Sequence, residues 1–320
     1  MSSKLRLTFS AGTLVLEAMP RAELQRAFEA PIWVWDSRVS AWRCDALQYD
    51  HVRRRLAELG IAAVDTVPQW RPIPWPHVRL PELRPEQREA LQAWLATRCG
   101  CIIMPTGTGK TEVALSLMAQ TATSTLIVAP VRDLMYQWHR RILGGLGYEA
   151  GIIGDNVFRV QPVSVTTYDS ACIHMDKLGN RFGLIVFDEC HHLPGEVRRD
   201  AARMSAAPWR LGLTATPERS DGRHLDLEWL VGPVVYDMPI AAAKGHVLAD
   251  YEVVRIQVHL SADEQTRYDR LSAAVRRYMA ERRKDDPKYS WQDLCAETGK
   301  TPAARTALKA YRAKKAIEDR

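Results

Sequence analysis

The sequence predicts an α/β protein, with a parallel sheet flanked by helices, preceded by a small α+β domain and followed by a mainly helical segment. Three observations predict it. Short runs that are apolar throughout, "CGCIIMP", "STLIVAP", "PVSVTTY", "FGLIVFDE" and "RLGLTAT", each end in a polar or glycine-bearing turn. Helical patterns separate these runs, as parallel strands buried on both faces require. The texture of the chain changes on either side of this region, with tryptophan-rich alternation before it and charged helical spacing after it.

Residues 1–67 read as the small domain. "LRLTFSAGTLVLEA" alternates as strands do, and "PIWVWDSRVSAWRC" carries Trp33, Trp35 and Trp42. Those rings either fill a core or stack on unpaired bases. In "YDHVRRRLAELGI", Val52, Leu56 and Leu59 recur at helical spacing. The stretch "VPQWRPIPWPHVRLPELRP" holds six prolines, which keep helix and central strand out, so 68–82 reads as a linker. The alternating-strand domain occupies 83–240. Beyond it, 241–320 opens with the alternating strand "YEVVRIQVHL" and turns helical and charged.

Lys and Arg number 44 against 38 Asp and Glu, a formal charge of +6. Most of the excess lies late: residues 261–320 hold 15 basic and 10 acidic side chains, which suits either a polyanionic partner or a solvated helical surface. No apolar run approaches the ~20 residues that cross a bilayer, and "MSSKLRLTFSAG" lacks a signal-peptide core. The six cysteines form no CxxC pair, so neither a zinc site nor a disulfide framework is expected, and a cytoplasmic location is.

The chemistry concentrates in "CIIMPTGTGKTEVAL". Its turn supplies Thr106, Gly107, Thr108, Gly109, Lys110 and Thr111. Glycines let successive N–H groups turn in around a phosphate; Lys110 reaches the β and γ oxygens and the Thr111 hydroxyl ligates magnesium. Met104 stands where the usual GxxxxGK[ST] pattern begins with glycine, but a buried strand precedes the turn and an amphipathic helix follows. In "LIVFDECHHLPG" a strand ends in Asp188 and Glu189; Asp188 is expected to hold Mg2+, largely through water, and Glu189 to polarise the attacking water. His191 and His192 have no further ligand cluster, which argues against zinc. Trp138 is expected to pack, and Arg140 and Arg141 to face phosphate.

"PTGTGKT", "DECH" and "LTATP", in that order, resemble the superfamily 2 helicases and translocases, which implies a RecA-like fold for 83–240 and ATP with Mg2+ as cofactors. Within that resemblance, "LRPEQREAL" looks like the adenine-reading element, with Gln87 on the base. "LIVAPVRDLMYQW" and "TTYDS", the latter with Thr166 and Thr167, look like loops that grip a nucleic-acid backbone. Thr214 and Thr216 of "TAT" would couple nucleotide state to the bound strand. "RLGLTATPERSDGRH" and the segment from "LVGPVVYDMPI" onward resemble the XPB family more closely. That implies a DNA-damage-recognition type of small domain, a thumb-like helical segment, and single-stranded or forked DNA as partner. It also implies a nuclease or other repair protein as a further partner, and a nucleoid-associated setting if the source is prokaryotic. Arg219, Ser220 and Asp221 stand where the family carries an Arg-Glu-Asp loop implicated in strand separation.

The resemblance further implies a second RecA-like domain whose arginines complete the ATP site. No "QxxGRxxR"-type segment precedes the final "KKAIEDR". An arginine supplied from outside is worth about 10³–10⁵ in turnover at comparable sites, so this chain is expected to bind ATP and hydrolyse it slowly. Two readings stay beside the helicase: a translocase that moves on duplex DNA without splitting it, and a nucleotide-gated DNA-binding or protein-docking module.

Overall fold

The computed structural model describes residues 4–28, 32–216, 222–239, 259–286, 289–298 and 301–318. Contacts divide the chain into two units, Met1–Tyr251 and Glu252–Arg320.

The first unit opens on a five-stranded sheet. Strands β1 (Arg6–Ser10) and β2 (Thr13–Glu17) form a hairpin, with Phe9 opposite Leu14 and Leu7 opposite Leu16. The two residues joining them, Ala11 and Gly12, both have positive φ (49° and 78°), the sense of turn that matches strand twist. Helix α1 (Arg21–Ala27), β3 (Val34–Asp36), β4 (Ala41–Asp45), helix α2 (Tyr49–Glu58) and β5 (Val64–Asp65) complete the domain, in sheet order β3-β4-β2-β1-β5. Leu7, Leu14 and Leu16, on one face by their alternation, meet Val52 and Leu56 of α2. Trp33 and Trp42 belong to this core, 8% and 9% exposed, whereas Trp35 on the edge strand is 48% exposed. For two of the three tryptophans the core reading therefore holds.

The small domain is fastened to the larger one. Ala206 of the larger domain sits in the small domain's core. Arg203 grips both carboxylate oxygens of Asp45, at 2.9 and 3.1 Å. The Asn180 side-chain amide donates to the Val67 carbonyl at 2.9 Å, while the Gln69 N–H donates to the Asn180 carbonyl at 3.0 Å. The proline-rich stretch is likewise pinned: Ile73 is buried, and its N–H donates to the Ala122 carbonyl at 2.7 Å. Its last proline, Pro85, starts helix α3 (Pro85–Thr97), where a missing N–H costs nothing.

The larger domain is an eight-stranded sheet. Its strands are β6 (Cys99–Ile103), β7 (Thr125–Ala129), β8 (Gly151–Gly154), β9 (Val157–Phe158), β10 (Val163–Thr167), β11 (Leu184–Asp188), β12 (Trp209–Thr214) and β13 (Val234–Asp237). They lie in the order β13-β6-β12-β11-β7-β10-β8-β9, parallel except for the β8–β9 edge pair. Helices α4 (Lys110–Thr121) and α5 (Arg132–Leu146) join α3 on one face. On the other face lie α6 (Tyr168–Leu178), α7 (Asp200–Arg203) and α8 (Leu227–Leu230). Period-two alternation feeds both cores: Ile127 and Val186 point one way, while Leu126, Val128, Ile185 and Phe187 point the other. Each such side chain contributes about 1.5–3 kcal/mol when fully buried.

One charge lies inside this domain. Arg210 of β12, 5% exposed, donates to the carbonyls of Ala202 (3.2 Å), Leu230 (3.3 Å) and Ser205. No carboxylate pairs with it among the described residues, and burial pulls its pKa down.

The second unit consists of α9 (Ala262–Asp285), α10 (Trp291–Glu297) and α11 (Pro302–Glu318). Ser261 caps α9 through a reciprocal box with Glu264. Tyr289, Leu294 and Ala307 form a small core. Beside it the Glu297 carboxylate accepts from Tyr278 (3.0 Å) and Tyr289 (2.5 Å) and pairs with Arg282. The strand expected at "YEVVRIQVHL" falls almost wholly on 251–258, outside the described residues. Among the described residues no helix is long and apolar enough to cross a membrane.

Replacing Arg210 by Met strands the buried Ser205 and Leu230 carbonyls, while that of Ala202 keeps the Ser205 N–H. We expect urea denaturation to show a loss of at least about 2 kcal/mol, since each unpaired buried acceptor costs roughly 1–3 kcal/mol. An unchanged midpoint would mean those carbonyls find other donors.

Candidate functional site

The strands of the large sheet release their polar residues at their carboxyl ends, and two of those ends meet across a cleft. After β6 the chain turns through Thr106–Thr111 into α4. Gly107 and Gly109 take φ of +83° and +82°, a region that side chains avoid. A Cβ on Gly109 would strike the Gln87 amide. Gln87 is 2% exposed and braces the turn: its Nε2 donates to the Thr108 carbonyl at 2.9 Å, and its Oε1 accepts the Arg84 N–H at 2.9 Å. Thr108 is itself buried, with its hydroxyl on the Pro105 carbonyl at 2.6 Å. Arg84 also donates to the Thr108 carbonyl, at 2.5 Å.

Lys110 Nζ donates to the Met104 carbonyl at 2.9 Å, which folds the ammonium back over its own turn. Burial lowers its pKa, and the nearby Glu189 and Asp188 carboxylates push it back up. Asp188 ends β11, separated from β6 by β12 alone. Its Oδ2 accepts the Trp138 indole N–H at 2.8 Å and its Oδ1 accepts the Glu189 N–H at 3.1 Å. Burial raises its pKa, the indole bond lowers it, and the Glu189 charge raises it again. Glu189 has φ +48° and ψ +56°, a left-handed conformation uncommon for a non-glycine residue and costing about 1–3 kcal/mol.

From Glu189 a polar chain runs to the end of β12. His191 Nδ1 lies 3.4 Å from Glu189 Oε2 and 2.9 Å from Thr214 Oγ1. Thr214 Oγ1 donates to the Thr216 carbonyl at 3.1 Å and accepts the Thr216 N–H at 3.2 Å. A carboxylate only accepts, and the Thr214 hydrogen is spent on Thr216, so His191 Nδ1 carries the hydrogen between them. Cys190, wholly buried, has its thiol pKa raised by contact with Cys101 and by burial, which keeps it an unreactive thiol.

The cleft measures about 320 Å³. Its walls bring together Thr106, Gly107, Gly109, Lys110, Thr111, Asp188 and Glu189. Thr166 and Thr167 are not among its walls. Both are buried; Thr166 donates to the Ile153 carbonyl at 2.7 Å and Thr167 caps α6. Arg219 and Asp221 lie outside the described residues. One helix face escaped the sequence reading. Leu134, Gln137, Trp138 and Arg141 of α5 line the cleft at i, i+3, i+4 and i+7, and Glu112 joins them. That spacing is visible in "LMYQWHRR", but a helical apolar stripe usually marks core. Arg141, expected to face phosphate, lines this cleft and pairs with Glu112.

The donor set fits a magnesium nucleotide. A Thr hydroxyl and a carboxylate are the hard oxygen ligands magnesium takes, and a turn with glycine at 107 and 109 lets a phosphate approach its backbone there.

Two family models match the chain. The "Xeroderma pigmentosum group B helicase damage recognition domain" covers residues 7–67, and the "Type III restriction enzyme, res subunit" covers 80–219. A Sulfurisphaera tokodaii protein named DNA 3'-5' translocase XPB2 is 40% identical over 253 residues, 79% of this chain and 57% of that protein. The DNA 3'-5' helicase XPB of Mycobacterium tuberculosis is 33% identical, across 58% of this chain and 36% of its own length. In Schizosaccharomyces pombe, the general transcription and DNA repair factor IIH helicase/translocase subunit XPB is 28% identical, across 52% and 24%. The chain thus spans less than two thirds of any of these relatives.

Gly109→Ala tests the turn. We expect about 1–3 kcal/mol of destabilisation from backbone strain, with the Gln87 clash in addition. Gly60→Ala, with a φ of +66° and open space around it, reports strain alone, and equal losses in the two variants would remove Gln87 from the turn.

Proposed function

The chain belongs to the XPB family of superfamily 2 helicases, and from that premise we propose that it is the ATP-binding part of a DNA motor acting in repair or transcription. The observation that carries this reading is the meeting of the Lys110–Thr111 turn with Asp188–Glu189 across one cleft, linked through His191 to Thr214 and Thr216.

Lys110 leaves the Met104 carbonyl to hold the β and γ oxygens, and the turn's N–H groups surround the phosphates. Thr111 and Asp188 hold magnesium, which when bound neutralises charge on those oxygens. Glu189 takes a proton from the water that attacks the γ-phosphorus; the bond to the bridging oxygen breaks, and ADP and phosphate leave. Gln87 reads the base. Its present bonds leave one N–H and one lone pair unspent, the pair of functions complementary to an adenine N7 and N6 edge. His191 feels the loss of the γ-phosphoryl through Glu189 and passes it to Thr214 and Thr216 at the end of β12. Arg219 and Asp221 are assigned to the DNA side of this coupling, whereas Thr166 and Thr167, buried and spent on Ile153 and the α6 cap, hold the strand end in place.

Arg141 is the arginine in the cleft wall among the described residues, and Glu112 holds it. We assign the completing arginine to a surface outside this cleft, and with it the expectation that this chain by itself turns over slowly. A second reading, movement along duplex DNA without strand separation, stays beside it; the restriction-subunit match over 80–219 and the translocase name of one relative are compatible with it.

ATP turnover by this chain, with and without forked DNA, tests the reading. Lys110→Ala should abolish ATP binding, whereas Glu189→Gln should keep it and lower turnover by roughly 10²–10⁴. Tight ATP binding by the Lys110 variant would sink the site. ATP consumption on duplex DNA with no strand released from a fork would favour the duplex translocase.

A further inference from the structure

The site has a member that its motifs do not name. Asp188 is held by two donors, one on each oxygen: the Glu189 N–H on Oδ1 and the Trp138 indole N–H on Oδ2. A carboxylate held through one oxygen still pivots about that bond. Held through both, its plane is fixed, and each oxygen keeps a lone pair for a hydrated cation.

Trp138 suits this task in three ways. At 3% exposed, it sits on the face of α5 that places Met135, Ile142 and Leu146 in the core, so its ring is immobile. Its N–H donates only, and at 2.8 Å the bond to a charged acceptor is short and strong. It also carries no charge. A lysine or arginine in its place would orient Asp188 too, but its positive charge would oppose a cation, and Lys110 already sets one beside this carboxylate.

We propose that Trp138 is the positioning residue of the magnesium site, its indole N–H holding the Asp188 carboxylate in the plane that the hydrated cation requires. The inference rests on Asp188 being the magnesium carboxylate. Packing alone would account for a buried ring at this position, but not for its N–H meeting the one carboxylate that faces the cleft from β11.

The decisive variant changes the N–H and nothing else. 3-Benzothienylalanine, introduced at position 138 alone, keeps the bicyclic outline and puts sulfur in place of N–H; Trp138→Phe is the genetic counterpart. Calorimetry of the full chain with a non-hydrolysable ATP analogue, in EDTA and in saturating Mg2+, gives the affinity that magnesium adds. Thermal melting and Mn2+ binding read by electron paramagnetic resonance accompany it. In the benzothienyl protein, metal-free affinity should stay as in the parent, while melting should fall modestly with the lost bond to Asp188. The gain from magnesium, and Mn2+ affinity with it, should fall about tenfold, as when other groups that orient a metal ligand are removed. Trp138→Phe should show the same metal-specific loss. An unchanged magnesium gain would reduce Trp138 to packing and overturn the inference, as would an equal fall in both affinities. A parent chain with no magnesium gain at all would remove the Asp188 assignment itself, and this inference with it.

Discussion

Burying an eight-stranded, almost wholly parallel sheet on both faces leaves its polar chemistry one exit, the carboxyl edge of the parallel strands. The rest of the molecule is arranged around that constraint. Because β12 alone lies between β6 and β11, the two ends that bear Lys110 and Asp188 emerge on either side of a single strand. Thr214, at the end of that intervening strand, then falls within reach of His191. The glycine-bearing turn, the carboxylate pair and the Thr214 hydroxyl share one edge because neighbouring strands must keep their register.

The cleft is unfavourable to itself while it is free. Burial lowers the pKa of Lys110 and raises that of Asp188, so each charge is held at some cost. Glu189 adds a strained backbone, and the turn before α4 needs two residues at positive φ. These are the terms a negatively charged ligand with a divalent cation would relieve. The surrounding framework supplies the stability that tolerates them. Two continuous cores, one on each face, fix the strands, and Gln87 and Trp138 reach out of the apolar layer to hold single polar groups in place.

The small domain is joined to the larger one by a different balance. Its own core is aliphatic and aromatic, and the joint adds Ala206, the bidentate Arg203–Asp45 pair and backbone bonds to Asn180. An exposed ion pair by itself is worth little, roughly 0–1 kcal/mol, so orientation here comes from the combination with buried contacts. The proline-rich stretch belongs to the same joint. Prolines keep it out of helix and sheet, yet Ile73 anchors it to the α4 end of the larger domain.

Much of this was legible along the chain. Apolar runs of strand length separated by helical patterns name a parallel sheet, because only helices on both faces satisfy such runs. The turn Thr106–Thr111 and the pair Asp188–Glu189 can be read from residue type alone, since glycine and lysine after a buried strand have few other uses. Other facts had no local signal. Whether Trp33, Trp35 and Trp42 are core or surface depends on which strand is the edge, and the sheet order decides that. Trp138 reads as packing because its ring is apolar; its N–H acquires a partner only when β11, fifty residues later, is folded beside α5. Thr166 and Thr167 look exposed at a strand end, but the folded chain spends their hydroxyls on Ile153 and on the cap of α6. The sequence by itself determined the class of sheet and the residues able to hold a phosphate. Tertiary structure decided which side chains orient them, because a hydrogen bond between distant segments depends on strand order and helix rotation, and neither is written in any one stretch.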